Sequence, residues 1–399
     1  MKTREAQADI DMLIGNASQS NVLSEIHKYW ITRRILWNII RVARNETGSY
    51  RAAVNTLNKI RKRFRHQIGV SMYPKIVEIN HRYFWRLATP GYPSKALDQS
   101  HLNEISRIQQ DGKPRSINLV ILSVTCKCPL RCQHCYEWKR LNRRETLSIG
   151  DLHEIVEAYQ DYGTSVFFFG GGEPMLRLND LCEVVRQAKP TSDFWMYTSG
   201  YRLGRQEAGK LKEAGLTGVI VSIDHHEREK HDLFRGMDGI YDQATAAIAH
   251  CHNVKLGTAM AVCITRDFIS ESNIRKYMDL AKVLGVDFVQ LLEPKPAGRF
   301  QGQEVSLGKE ELALAERLTT EYNTSGKYHD YPIVLYPESM VRKIGCLSGE
   351  RMIFINSAGM IQQCPFCDHT IGHVLDIPPE EAHSRMCSMK CQDYEKAIL

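Results

Sequence analysis

Between residues 117 and 292 the chain alternates short apolar runs with stretches in which apolar residues return every three or four positions. The runs 117–124, 166–169, 194–197, 218–224, 256–262 and 288–292 predict six strands. The stretches 152–162, 178–188, 205–214, 241–250 and 272–284 predict the helices between them. Strand alternating with helix implies parallel strands joined by right-handed crossovers. Near-continuous apolar strands such as 166–169 fit a sheet covered on both faces. The expected fold class is therefore α/β, with its site at the carboxyl ends of the strands.

Both flanks break this rhythm. After a helical stretch at 309–322 and a polar linker at 323–331 comes an apolar strand, a Ser357-Ala358-Gly359 turn and a second short strand, the pattern of a hairpin. The first hundred or so residues are rich in helix formers, with breakers at Gly48, Pro74 and Pro90–Pro93. The expected division is a helical extension at 1–114, a catalytic unit at 115–308 and a small cysteine-rich unit at 309–399. A chain of 399 residues is long enough for all three.

Candidate chemistry follows the first apolar run. Cys128, Cys132 and Cys135 have the spacing C-x3-C-x2-C, with Tyr136 next. Three thiolates on one loop suit a cubane iron–sulfur cluster, which ordinarily takes four protein ligands, and leave one iron open to a small molecule. A zinc site uses similar spacings, and His134 lies within the loop. Further along, the second run ends in Gly170-Gly171-Gly172-Glu173-Pro174. Glycines there let a ligand approach the backbone, and Glu173 offers a carboxylate to an ammonium group. A tight turn with a solvated glutamate would use the same residues.

The triad, the aromatic residue after it and Gly171-Gly172-Glu173-Pro174 together resemble the radical S-adenosylmethionine (radical SAM) superfamily. The resemblance implies a partial (β/α)6 barrel and a [4Fe–4S] cluster on the three cysteines. It also implies that the amino and carboxylate groups of S-adenosylmethionine chelate the open iron, with the glycine-rich motif at the amino group. One electron, from a low-potential donor such as flavodoxin or ferredoxin, then cleaves the sulfonium to a 5′-deoxyadenosyl radical that abstracts hydrogen from a substrate. Ser199 in Thr198-Ser199-Gly200, together with Ser222 and Asp224, resembles residues of barrel strands that face the cofactor. Ser222 would meet its ribose or carboxylate. Arg235 would anchor a carboxylate, or serve in a surface salt bridge.

Five of the twelve cysteines lie beyond residue 345: Cys346, Cys364, Cys367, Cys387 and Cys391. So short a segment needs a metal site to supplement its core. Its hairpin, with one cysteine before it and Cys364 five residues after Gly359, resembles the SPASM or twitch appendage of radical SAM enzymes. That implies one auxiliary [4Fe–4S] cluster on Cys346, Cys364 and Cys367, with Cys387 or Cys391 as the fourth ligand. A zinc ribbon would also fit Cys364-x2-Cys367 and Cys387-x3-Cys391. Cys126, Cys182, Cys251 and Cys263 have no motif context and read as buried fillers.

Charge sets the amino-terminal region apart. Between Ser24 and His66 eleven basic residues face two acidic ones, whereas the whole chain carries a net charge of only +6. Trp30, Ile31, Ile35, Leu36, Trp37, Ile39 and Ile40 interleave with the arginines, as in a helix able to lie on an anionic membrane. The same pattern suits a helix that packs its apolar side on the barrel and solvates its arginines. Basic charge alone makes nucleic acid the weaker expectation. No apolar run is long enough to span a membrane or serve as a signal peptide, and the cysteines have metal-type spacings, so the expected setting is the reducing cytoplasm. The expected substrate is a peptide or protein side chain. A small molecule or membrane lipid is the alternative, and a zinc-stabilised, non-catalytic binding protein is a second.

Overall fold

The computed structural model describes residues 21–68, 75–109 and 116–389. Pro74 and Cys391, named above, lie outside these residues. The six expected strands are present: β3 (Leu119–Thr125), β4 (Val166–Gly171), β5 (Asp193–Thr198), β6 (Gly218–Ser222), β7 (Gly257–Cys263) and β8 (Phe288–Leu292). Neighbours pair in parallel, in sequence order, forming the partial barrel. The intervening helices begin and end as their sequences dictate. Ser148 and Asp151 form a capping box at Ile149–Asp161, Ser270 caps Glu271–Val283, and Gly215 closes Arg205–Ala214 in the left-handed region.

Two pieces of the sheet differ from the sequence reading. The linker after helix Lys309–Thr324 runs into a short strand, β9 (Ile333–Leu335), parallel to β8. The carboxyl-terminal strands β10 (Met352–Ile355), β11 (Met360–Gln362) and β12 (Thr370–His373) extend the same sheet at its other edge. β10 lies parallel to β3, with Met352 opposite Leu119 and Ile355 opposite Leu122. The cysteine-rich hairpin therefore continues the barrel's own hydrogen-bond ladder.

Successive strand residues point to opposite faces, and the two faces have different partners. Phe167, Phe169, Phe194, Met196, Val219 and Val221 pack outward against the helices. Leu119, Val166, Phe168, Trp195, Ile220 and Phe288 point inward, where they meet Val77, Ile79, Phe84 and Leu87. The first three belong to a small hairpin, β1 (Val77–Ile79) and β2 (Arg82–Phe84), turned by Asn80 and His81, both at positive φ, and Leu87 follows it. The hairpin plugs the barrel at the amino ends of the strands, leaving the opposite mouth for the site. Arg82 pairs with Asp193 at 2.6 Å, and Asn21 Nδ2 donates to Asp287 Oδ1 at 2.8 Å. Burying each large apolar side chain here contributes about 1.5–3 kcal/mol.

Helix Glu25–Thr47, capped by Ser24 and ended by Gly48, divides the apolar residues expected on one side. Ile31, Ile35, Ile39, Val42 and Ala43 face inward, onto helices Tyr50–Ile68 and Lys95–Gln109 and onto Trp85 and Ile76. Ile26 (73% exposed), Trp30 (59%) and Trp37 (58%) face outward. The helix thus packs on other amino-terminal elements and still presents aromatic residues to solvent. No described helix is long and apolar enough to cross a membrane.

Candidate active site

The triad loop leaves β3 at the barrel mouth and is held by backbone contacts from three directions. Asn142 accepts from Cys128 N–H through Oδ1 and donates through Nδ2 to the Cys128 carbonyl, both at 3.0 Å. Arg131 and Gln133 donate backbone N–H groups to the carbonyls of Arg235 and Phe234, at the end of helix Arg228–Arg235. Arg299 donates its N–H to the Cys135 carbonyl at 3.0 Å and Nη1 to the Arg131 carbonyl at 2.6 Å, and lies over the Trp138 ring. Gly298, at φ +60°, must be glycine because a Cβ would strike Cys135 O and Tyr136 Cα.

The thiols of Cys128, Cys132 and Cys135 gather beside Leu130 and Ile240, close enough to feel one another's charge. Desolvation pushes Cys128 and Cys135 up to about 12, so the free thiols stay protonated and a bound metal is needed to hold them as thiolates. Three soft donors on one loop fit a [4Fe–4S] cluster with an open iron. His134 stacks on Phe234 with ring centroids 4.9 Å apart, and burial lowers it to about 4, keeping it neutral.

The glycine-rich segment serves this loop in a way its sequence did not announce. A Cβ on Gly171, at φ +119°, would collide with Thr125 O, and one on Gly172 with Lys127 O. Gly172 N–H donates to Thr125 O at 2.7 Å, and Glu173 N–H to Lys127 O at 2.8 Å. What approaches these glycines in the structure is the cysteine loop's own backbone. Glu173 is buried rather than solvated. Its Oε1 accepts from Thr198 Oγ1 (2.7 Å) and Met175 N–H (3.1 Å), and its Oε2 from Ser199 N–H (2.8 Å) and Oγ (2.5 Å). Ser199 is thus engaged by Glu173. Pro174 opens the 3-10 turn that follows.

Arg235 is buried, which sets aside its use in a surface salt bridge. Its Nε donates to Asp224 Oδ2 at 2.5 Å, and its Nη1 lies 3.7 Å from Cys132 Sγ. Burial works against the Asp224 charge, but Arg235 and its neighbours outweigh it and hold the carboxyl below its usual range. Asp224 Oδ1 also accepts Cys263 N–H at 2.9 Å, so Cys263 lies at the site although nothing in its sequence context marks it. Ser222 ends β6, partly exposed. Tyr136 is half-buried, with its ring edge-on to Phe354 and Phe366.

Phe366 stands between Cys364 and Cys367, so its contact with Tyr136 brings the second cysteine loop against the first. Elsewhere in that segment Cys387 Sγ lies 3.6 Å from Gly349 O, and Gln363 donates to the carbonyls of Met386 and Met389. The backbone near Cys346, Cys364 and Cys387 is drawn together in this way. Gly298, Arg299 and Phe366 escaped sequence reasoning because each acts on a loop distant in the chain, and Asn142 because its loop closes back on Cys128 without a motif. The glycine and arginine just after β8 were the only signal.

Residues 122–284 match the model of the radical SAM superfamily. The AdoMet-dependent heme synthase of Nitratidesulfovibrio vulgaris is 25% identical over 301 residues, spanning 68% of this chain and 80% of that protein. The Fe-coproporphyrin III synthase of Methanosarcina barkeri is 30% identical over 227 residues, 56% of this chain and 54% of that one. Among solved structures, SuiB of Streptococcus suis bound to the precursor peptide SuiA superposes with a TM-score of 0.57 at 13% identity, covering 86% of this chain and 81% of SuiB. The anSMEcpe structure with bound AdoMet and Cp18Cys peptide gives 0.53 at 18% identity, covering 70% and 82%. The fold and site define an α/β partial-barrel enzyme that uses a [4Fe–4S] cluster and S-adenosylmethionine. Residues 122–284 thus carry a radical SAM domain. The reading as a non-catalytic zinc protein falls with that match.

Proposed function

We propose that this enzyme abstracts hydrogen from a peptide or protein side chain, with one auxiliary [4Fe–4S] cluster held by Cys346, Cys364, Cys367 and either Cys387 or Cys391. The observation that carries the chemistry is the gathering of three thiols, one buried and two half-buried, with Arg235 against Cys132 and the Gly171–Gly172 wall beside their loop. When bound, the cluster supplies the electron that cleaves S-adenosylmethionine to the hydrogen-abstracting radical. The chain's own residues do the rest. Asp224 orients Arg235 toward Cys132, offsetting the negative charge of the thiolates. Asn142 and Arg299 hold the loop's shape, and the edge-on contact of Tyr136 with Phe366 joins the two cysteine loops. Glu173 ties the ends of β4 and β5, and receives the cofactor's ammonium group by yielding one of its four present donors. Ser222, at the end of β6, would meet the cofactor's ribose or carboxylate.

The peptide reading is supported by the likeness to SuiB and anSMEcpe, whose structures hold peptides. One feature favours a second substrate reading. Ile26, Tyr29, Trp30, Arg33, Arg34, Trp37, Arg41 and Arg44 are all exposed on helix Glu25–Thr47, and their spacing places them along one stripe. An aromatic stripe flanked by arginines suits an anionic lipid surface, and with it a membrane-bound substrate.

Anaerobic reconstitution tests the chemistry. Two clusters give about eight irons per chain. Cys128→Ala, Cys132→Ala, Cys135→Ala should remove half of them and all cleavage of S-adenosylmethionine. About four irons, all lost in that variant, would remove the auxiliary cluster from the proposal. Two or fewer with stoichiometric zinc would overturn it.

A further inference from the structure

Glu338 is the second residue of helix Pro337–Ile344, which follows β9 at the mouth of the barrel. Its Oε1 lies 3.4 Å from Glu293 N–H, and its Oε2 is buried with no hydrogen-bond partner. Its charge is felt by Tyr197 at the end of β5 and by Cys263 at the end of β7. Tyr197 OH in turn donates to Gln290 Oε1 on β8 at 3.0 Å. β5 and β8 are three strands apart in the sheet, so a carboxyl that neighbours both ends lies inside the mouth. From there the path to the cysteine loop is short: Cys263 N–H holds Asp224, and Asp224 holds Arg235 beside Cys132.

The groups that could satisfy Glu338 are engaged elsewhere. Glu293 takes Lys295 at 3.2 Å, Tyr336 OH at 2.6 Å and Arg342 Nη1. A buried carboxyl oxygen without a donor is costly and uncommon, and it is best relieved by a charge-assisted N–H. We propose that Glu338 is a substrate-binding residue that accepts a hydrogen bond from an amino group of the molecule held in the barrel mouth. The proposal rests on the radical SAM reading above and narrows its substrate to one carrying a nitrogen donor. Desolvation pushes Glu338 up to about 7, so an ammonium group arriving near neutral pH draws it into its ionised form.

The test uses small probes in place of the unidentified substrate. Reduced, cluster-loaded enzyme with S-adenosylmethionine is given n-butylamine, butan-1-ol or butyrate, each carrying deuterium next to its polar group. The readout is the fraction of 5′-deoxyadenosine that contains deuterium, which is independent of how much is formed. The amine should label it more than the other two by on the order of tenfold, the worth of one charge-assisted hydrogen bond. Glu338→Gln should remove this preference, and Glu338→Asp, which keeps the acid, should retain part of it. n-Butylamine should also raise the Tm of the wild-type holoenzyme more than that of Glu338→Gln. Equal labelling by all three probes, or an amine preference that survives in Glu338→Gln, overturns the proposal. If the wild-type enzyme forms no 5′-deoxyadenosine with any probe, the radical SAM reading fails and the proposal with it.

Discussion

Glu338 and Glu173 show how two glutamates at one barrel mouth meet different fates. Glu173 has four protein donors and Glu338 has one long contact. The consequence for stability has a definite sign. The carboxyl of Glu338 is raised by desolvation from 4.5 to about 7, so the folded protein binds a proton there that the unfolded chain has released. Its stabilising contribution is complete below the unfolded value and is lost as pH rises through the folded one. Between pH 6 and pH 8 the wild-type enzyme should lose roughly 1.4 kcal/mol relative to Glu338→Gln, one pH unit of proton linkage. Urea unfolding of the two anaerobic holoenzymes at both pH values measures it. A difference that does not change with pH would mean that Glu338 titrates as an ordinary surface acid.

Helix Glu25–Thr47 carries the element-scale prediction. Its inward isoleucines join the buried clusters of the amino-terminal region, and its outward tryptophans stand outside them. At an anionic membrane the tryptophans would bury apolar surface, and each nearby arginine would add about 1 kcal/mol. The electrostatic part must weaken with salt, because the Debye length falls from ~10 Å at 0.1 M to ~3 Å at 1 M. The protein should float with anionic liposomes at low salt and be released at high salt, and Trp30→Ser, Trp37→Ser should abolish flotation while leaving helicity unchanged. Equal absence from anionic and neutral liposomes would falsify the membrane reading and leave the helix as a packing element alone.

For the whole molecule, the question is whether the amino-terminal region can be separated from the barrel. Val77, Ile79, Phe84 and Leu87 fill the barrel's underside against Phe168, Trp195 and Phe288. Lys75 Nζ also reaches the carbonyls of Tyr328 and Tyr331 beyond the last helix of the barrel. A chain beginning at residue 115 would open this apolar interior to water. Each large side chain uncovered costs about 1.5–3 kcal/mol, a large share of a typical domain's stability. The truncated protein should therefore be insoluble or aggregate on expression. Recovery of a monomeric, cluster-binding fragment would show that the extension is a detachable module.

The strand–helix alternation was legible because both periods are local: Phe167 and Phe169 point one way and Phe168 the other whatever their partners are. The triad and glycine motif were legible because metal-binding loops and tight turns restrict residue type over a few positions. Asn142, Arg299 and Phe366 left no such trace. Arg299 and Phe366 join loops far apart in the chain, which only the folded sheet brings together, and Asn142 closes a loop back onto Cys128. The same is true of the division of Trp30 from Ile31, which depends on where neighbouring helices lie, and of β10, whose place beside β3 is a pairing choice. A sequence can restrict which chemistry a loop can hold. Which carboxylates are satisfied and which await a donor depends on the neighbours that the tertiary fold supplies.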